Sequence, residues 1–329
     1  MNAPLVSILV PIYRVEQYIE RCARSLFEQS YENLEFVFVD DCSPDNSVQM
    51  LDRIIKDYPL RAERVHIIRH EKNRCALEAR KTALKYSNGI FLSHVDSDDW
   101  LEPNAIEMLM KKQQATGADI VSGRQMIHFR GGKTKERGSG QGMGKDELLQ
   151  NLCTHRCTSV LWGRIIRATL YTEQPIISDA RGSYGEDFQV LPQLIYYSTS
   201  IESIDDVVYH YNRVNENALT SSLNVSPQIQ LEYLFAHQIV SKFFEGKNPN
   251  CQCLCDETAK KYYHLFMRYQ AQNRCENGYD IIKQSFVNNK RLSHGKVGWL
   301  YQNYRHVVCV LVLQESLQYV KGVIRRIIR

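Results

Sequence analysis

Short unbroken apolar runs, each followed by a stretch of helical periodicity, set the limits on what this chain of 329 residues becomes. Leu5-Val6-Ser7-Ile8-Leu9-Val10 is stopped by Pro11, and Val15, Ile19, Cys22 and Leu26 then recur at helical spacing. Residues 34–39 repeat the apolar run. After the turn-rich Asp40-Asp41-Cys42-Ser43-Pro44-Asp45-Asn46, a helix carries Val48, Leu51, Ile55 and Tyr58. A third strand over 65–68, a third helix over 76–86 and a fourth strand over 90–95 complete the alternation. Continuous apolar strands alternating with amphipathic helices imply an α/β fold with a mostly parallel, Rossmann-like sheet covered on both faces. In such sheets ligands bind beyond the carboxyl ends of the strands.

Three polar groups fall at those ends: Pro11-Ile12-Tyr13, Asp40-Asp41 and Asp96-Ser97-Asp98-Asp99. The last follows Ile90-Phe91-Leu92-Ser93-His94-Val95. Three carboxylates within four residues repel one another, and a divalent cation is their natural compensation. The alternative is a solvated turn in which Asp98 or Asp99 caps the helix begun by Glu102-Pro103. An aromatic and two acidic pairs on one sheet edge favour a site for a nucleotide carrying a metal.

Further along, a helix over 102–116 and a strand over 119–122 precede a segment with glycines at 131, 132, 138, 140, 142 and 144. It reads as a flexible loop, either a lid or mobile surface. Trp162-Gly163-Arg164, then Tyr184-Gly185-Glu186-Asp187-Phe188, a helix over 191–197 and a strand over 207–211 follow. Arg164 would meet a phosphate, or Trp162 would simply pack. His210 is either an extra metal ligand or a satisfied core residue. From Pro227 the pattern is helical, giving a separate C-terminal region.

Composition supports an ordered globular chain, with 43% hydrophobic and 24% charged residues. The net charge of +4 is unevenly placed: from Lys290 onward there are eight Lys or Arg residues and one acid, Glu315. The stretch from Val307 suits either a basic amphipathic helix in an anionic membrane interface or a helix docked on the protein. No stretch is long enough to span a bilayer, and Met1-Asn2-Ala3-Pro4 leads into a strand without an apolar h-region. The expected location is therefore cytoplasmic, with peripheral contact at the inner membrane face. Ten scattered cysteines fit reduced thiols, and Cys251-Gln252-Cys253-Leu254-Cys255 lacks the partner pair of a zinc finger. Nucleic acid is not an expected partner, because no aromatic platform accompanies the basic residues.

The strand-end motifs resemble those of the bacterial family 2 glycosyltransferases, which have the type A glycosyltransferase fold. The resemblance covers about residues 1–225 and is strongest over the first 105. It rests on Val6-Ser7-Ile8-Leu9-Val10-Pro11-Ile12-Tyr13, Gln29-Ser30-Tyr31-Glu32-Asn33-Leu34-Glu35, Val39-Asp40-Asp41-Cys42-Ser43-Pro44-Asp45 and the D-x-D element Asp96-Ser97-Asp98-Asp99-Trp100-Leu101. It implies a glycosyltransferase domain over 1–225, with a nucleotide-sugar half (1–124) and an acceptor half (125–225), and a helical region over 226–329. By this likeness Pro11 and Tyr13 flank the base of a nucleoside diphosphate sugar, and Asp41 accepts from the base, commonly uracil. Arg80 meets diphosphate or ribose, and Asp96, Ser97 and Asp98 hold ribose and metal. Asp98 is the direct ligand of Mn²⁺ or Mg²⁺, with Asp96 and Asp99 in support.

The pair Glu186-Asp187 is similar to the family's catalytic pair, with Asp187 as general base and Glu186 as fallback; helix-terminus stabilisation is the competing reading. The implied activity is an inverting, metal-dependent transfer of a sugar, UDP-linked by expectation, to a glycan or lipid-linked acceptor in surface polysaccharide synthesis. A noncatalytic nucleotide-sugar-binding subunit is the alternative; a nucleotidyltransferase would bring a glycine-rich basic loop that Pro11-Ile12-Tyr13-Arg14 is not. Two departures stand out. Arg14 occupies a position where the family often has Asn, and Asn73-Arg74-Cys75 replaces a glycine-bearing segment.

Overall fold

A computed structural model describes residues 3–179, 184–215 and 227–273. The basic segment from Lys290 and its expected amphipathic helix lie outside the described residues. Strands β1 (Val6–Ile12), β2 (Leu34–Asp40), β3 (Val65–Arg69) and β4 (Phe91–His94) pair in parallel in the order β3-β2-β1-β4. Between them run α1 (Ile19–Phe27), α2 (Ser47–Ile55), the single turn α3 (Pro59–Ala62) and α4 (Cys75–Lys85). Pro11 lies inside β1 and does not end it, since a proline near a strand terminus forgoes only one ladder bond.

Beyond β4 the sheet turns mixed. β5 (Trp100–Leu101), β6 (Ile120–His128), β7 (Thr134–Arg137), β8 (Arg164–Arg167) and β9 (Ile201–Asn212) extend it in the order β4-β8-β6-β9-β5, with β7 hairpinned onto β6. β8 is antiparallel to both β4 and β6, whereas β6 and β9 are parallel.

Alternation along each strand decides what the two faces carry. Val6, Ile8 and Val10 of β1, with Val121 and Ile165, pack under α1, α2 and α5 (Ala105–Thr116). Leu9, Val37, Val39 and Leu92 point the other way, against Ala79 and Ala83 of α4. On that second face Ile120 and Ile166 meet α6 (Lys145–Cys153) and α8 (Glu186–Tyr197), and the short α7 (Thr169–Thr172) adds Leu170.

The glycine-bearing segment is a folded connection. Gly131 and Gly132, both at φ 76°, turn the β6–β7 hairpin, and Gly140 to Gly144 lead into α6. The flexible-loop expectation failed because β7 is polar and exposed and carries no apolar signal. The helices α9 (Pro227–Phe244) and α10 (Pro249–Asn273) share one core with α6 and α8, through Ala236, Val240, Phe243, Phe244, Cys251 and Cys255. Cys251 and Cys255 are buried, Cys253 is exposed, and all three are free thiols.

Gly89 shows how closely β1 and β4 are joined. A Cβ there would lie 2.6 Å from the Ser7 nitrogen and 2.7 Å from the Phe91 carbonyl oxygen. The Gly89 N–H donates to Ser7 Oγ at 2.7 Å and to Glu35 Oε1 at 3.1 Å. Gly89→Ala is therefore expected to cost about 1–3 kcal/mol in a denaturant titration, because backbone must move. An unchanged unfolding midpoint would contradict this packing.

Candidate active site

The register brings the polar strand ends together. Ile12 pairs with Asp40, the Asp41 N–H donates to the Ile12 carbonyl at 2.9 Å, and the Val95 N–H donates to the Leu9 carbonyl at 3.0 Å. Tyr13, Asp41 and Asp96 thus leave three adjacent strands on one edge. The first two loops are also stitched to each other: Arg14 N–H to Ser43 Oγ at 2.8 Å, Val15 N–H to Ser47 Oγ at 3.0 Å, and Glu16 N–H to Asp45 Oδ2 at 3.0 Å.

The two departures from the family pattern preserve backbone shape. Arg14 has φ 55° and Cys75 φ 71°, the left-handed region that Asn and Gly favour. Arg14 sets its guanidinium 5.2 Å from the Tyr13 ring centre, beside the half-exposed aromatic expected to face a base.

Asp41 is buried, and its Oδ1 accepts from the Arg74 N–H at 2.8 Å and lies 2.7 Å from His70 Nδ1. His70 Nε2 sits 2.8 Å from Thr82 Oγ1, so the ring bridges Asp41 to α4. The sequence reading passed over His70, although it is the residue after β3 and the strand-end rule singles out that position.

The three aspartates of the D-x-D region have separate fates. Asp96 Oδ1 accepts from Arg80 Nη2 at 2.6 Å. Asp98 Oδ2 accepts from Asn215 Nδ2 at 2.8 Å, and burial together with Asp96 pushes its carboxyl up to about 6. Asp99 is buried with both oxygens engaged: Oδ2 accepts from the Tyr209 hydroxyl at 2.7 Å, Oδ1 from the Asn212 N–H at 2.7 Å. The expected supporting metal ligand is thus a brace for the turn. Neither Asp98 nor Asp99 caps α5, whose N-terminal flank is Asn104. Ser97, between Asp96 and Asp98 in the chain, is buried.

On the facing side, Gly185 at φ 78° starts α8, and Glu186 and Asp187 occupy its first turn. Arg80, 5% exposed, reaches from α4 into the gap: its Nε stands 3.8 Å from Asp187 Oδ1, while Nε and Nη1 have no hydrogen-bond partner. Asp187 Oδ1 is likewise buried and unpartnered. Burial raises the Asp187 carboxyl despite the opposing pull of Arg80, and burial followed by Asp187 raises Glu186. His94, whose Nε2 lies 2.9 Å from the Tyr171 hydroxyl, is held neutral by burial, reinforced by Arg80 and Arg164.

His210 is not free to bind a metal. Its Nε2 is 2.7 Å from Glu102 Oε1, its Nδ1 is 2.9 Å from His128, and its ring stacks on Trp100. Trp162 stacks on Tyr209 at 4.3 Å, a packing role. Among the described residues no three His, Cys, Asp or Glu side chains converge as a metal cage. Asp96 and Asp98 offer the hard oxygen donors that suit Mn²⁺ or Mg²⁺, and burial with Asp96 nearby leaves the Asp98 carboxyl raised, a state that a neighbouring cation would relieve.

A parallel half-sheet with acidic strand ends, joined through an antiparallel strand to a second half that presents Glu186 and Asp187, is the type A glycosyltransferase architecture. The same fold is seen in a crystal structure of S. aureus TarS 1-349 in complex with UDP-GlcNAc (19% identity, TM-score 0.58, 92% of each chain covered). It recurs in the mannosyltransferase PcManGT from Pyrobaculum calidifontis in complex with GDP-Man and Mn²⁺ (15% identity, TM-score 0.55, 95% of this chain and 86% of that one). The sequence model of Glycosyl transferase family 2 matches residues 7–173, half of the chain, and the chain belongs to that family. Among curated relatives, the uncharacterized glycosyltransferase EpsJ of Bacillus subtilis (strain 168) is 28% identical over 223 residues, 66% of this chain and 63% of EpsJ. No described helix is long and apolar enough to cross a membrane.

Tyr209 ties the late strand β9 to this site, because its hydroxyl accepts from the Asp96 N–H at 3.1 Å while donating to Asp99. Tyr209→Phe strands a buried carboxylate oxygen and a backbone N–H, and is expected to destabilise by about 1–3 kcal/mol. Chemical denaturation measures this, and a neutral substitution would remove Asp99 from the role of brace.

Proposed function

We propose that the chain is a metal-dependent, inverting glycosyltransferase that moves a sugar from a nucleoside diphosphate sugar, UDP-linked, to a hydroxyl of a glycan or lipid-linked acceptor in surface polysaccharide synthesis. One observation carries this reading: Arg80, whose buried Nε and Nη1 have no hydrogen-bond partner, stands 2.6 Å from Asp96 Oδ1 and 3.8 Å from Asp187 Oδ1, itself buried without a hydrogen bond. Buried polar atoms are ordinarily satisfied, so a cluster of unbonded ones between the strand-end acid and the candidate base is what a polar ligand would complete. The complexes of the structural relatives with UDP-GlcNAc and with GDP-Man and Mn²⁺ support a nucleotide-sugar donor and a divalent cation.

In this reading Pro11 and Tyr13 flank the base and Asp41 accepts its ring N–H, with His70 and the Arg74 N–H holding the carboxylate in place. Arg80 donates to the diphosphate as well as to Asp96. Asp98, with Asp96, would hold Mn²⁺ or Mg²⁺, which when bound neutralises charge on the departing nucleoside diphosphate. The acceptor hydroxyl attacks the anomeric carbon from the face opposite the leaving group. The new C–O bond takes its electrons from that oxygen, the C–O bond to phosphate leaves with its pair, and Asp187 Oδ1 takes the proton. Single displacement inverts the anomeric centre. Asp187, whose Oδ1 lies 3.8 Å from Arg80 Nε, is the base; Glu186, raised by burial and by Asp187, sets the polarity around it.

Release of nucleoside diphosphate from a panel of nucleotide sugars with Mn²⁺ tests the reading. Asp98→Ala and Asp187→Asn are each expected to lower turnover by about 10²–10⁴-fold with folding intact. No release from any donor, or full activity in Asp187→Asn, would sink it; nucleotide binding without turnover would point to a binding subunit.

The pH profile supplies an independent check. A base whose pKa is raised loses its function as pH falls through that raised value. The acid limb of kcat/KM is therefore expected above the ordinary Asp range near 3.9 and below neutrality. An acid limb at the ordinary carboxylate value would exclude Asp187 in the environment described.

A further inference from the structure

A second buried arginine with unsatisfied nitrogens lies on the other side of β4 from the donor loops, in a row with two serines. Ser122 of β6 pairs with Arg164 of β8 on one side and with Ser203 of β9 on the other. Register partners share a sheet face, so these three side chains form a row across three strands. Their parity is that of Ile120 and Ile166, which face α6 and α8. A cavity of about 260 Å³ is lined by all three, together with Gly140, Gly142, Gly144, Leu148 and Ile195. Its size is slightly under the about 300 Å³ at the small end of ligand pockets, room for one charged group and part of a sugar ring. Glu202 is at the margin, neutralised by Lys112 at 3.0 Å.

Arg164 is the exceptional member. It is 1% exposed, and its Nε and Nη2 are buried without a hydrogen-bond partner. Burial lowers its pKa to about 10, which leaves it cationic at neutral pH. Asp187 attracts it electrostatically, yet two of its nitrogens stay unpaired. A buried cation with unpaired nitrogens costs stability, and a ligand that supplies hydrogen-bond acceptors and counter-charge offsets that cost. The donor-binding loops leave β2, β1 and β4, whereas the cavity is lined from β8, β6 and β9, and Arg164, which lines it, also feels the Asp187 carboxylate. That is the acceptor's side.

We propose that this cavity binds an oxyanion, carboxylate or phosphate, carried by the acceptor sugar, with Arg164 as counter-charge and the serine hydroxyls as further donors. The assignment rests on the glycosyl-transfer reading above and narrows its acceptor to an acidic sugar or sugar phosphate.

Calorimetric titration of the whole chain with glucuronate, glucose 1-phosphate, inorganic phosphate and neutral glucose tests it without turnover. The sugar-borne anions are expected to bind and glucose not to. Arg164→Met is expected to weaken that binding more than ten-fold while leaving the unliganded melting temperature equal or higher, since a buried unpaired charge has been removed. Arg164→Lys should keep part of the affinity. The proposal is overturned if no anion binds, if inorganic phosphate alone binds as well as the sugar-borne anions, if Arg164→Met binds them unchanged, or if that variant melts lower, the mark of a structural arginine. Release of nucleoside diphosphate by the same preparation reports separately on glycosyl transfer, so a failure of one reading is not mistaken for a failure of the other.

Discussion

Arg80 is the hinge of the arrangement. One buried guanidinium from α4 stands between Asp96 at the end of β4 and Asp187 at the start of α8, and so joins the two halves of the sheet by charge. Asp96 and Asp187 strengthen the hold on its proton against the cost of burial. A fully satisfied arginine would lock those halves as a structural ion pair. Here Nε and Nη1 remain without partners, so the same side chain that positions the two carboxylates also keeps donor capacity in hand. Lysine offers no planar fork to span both acids, so Arg80 is not interchangeable with it.

Around this centre the backbone is held in conformations that most residues avoid. Arg14, Cys42 and Cys75 all have positive φ, and each lies at or beside a loop that carries a site residue. The strain persists because the loops are over-determined by hydrogen bonds: Ser43, Asp45 and Ser47 grip the first loop, while Asp41 grips the third through the Arg74 N–H. Family motifs favour Asn or Gly at such points because those residues adopt the conformation cheaply. This chain keeps the shape with bulkier side chains, and the Arg14 guanidinium gains a position over Tyr13 in return.

The first hundred residues were legible because their signals are local. Strands β1, β2 and β4 are mostly apolar or buried on both faces, the helices between them have clear periodicity, and each carboxyl end carries its own polar residues. What depended on distant pairing was less so. β7 is a polar strand visible only through its hairpin with β6. The antiparallel placement of β8 between β4 and β6 follows from no feature of its short Arg-Ile-Ile-Arg run. The bracing of Asp99 was hidden for the same reason: its partners Tyr209 and Asn212 lie more than a hundred residues later, and nothing in Asp96-Ser97-Asp98-Asp99 announces them. His210, judged open between two roles, turned out to be tied to Glu102 and His128.

That long-range return of β9 explains how three neighbouring aspartates are held in one turn. Left alone, Asp96, Asp98 and Asp99 would repel one another and spread. Tyr209 and Asn212 take up both oxygens of Asp99, Arg80 takes one oxygen of Asp96, and Asn215 gives Asp98 a single neutral donor. Even so, burial and the neighbouring carboxylates hold both Asp98, pushed up to about 6, and Asp99 above the ordinary carboxylate range. The strand end therefore keeps a demand for positive charge that a nearby cation would relieve. The specificity of the D-x-D element thus resides less in its own residues than in the donors that the far end of the sheet brings to it.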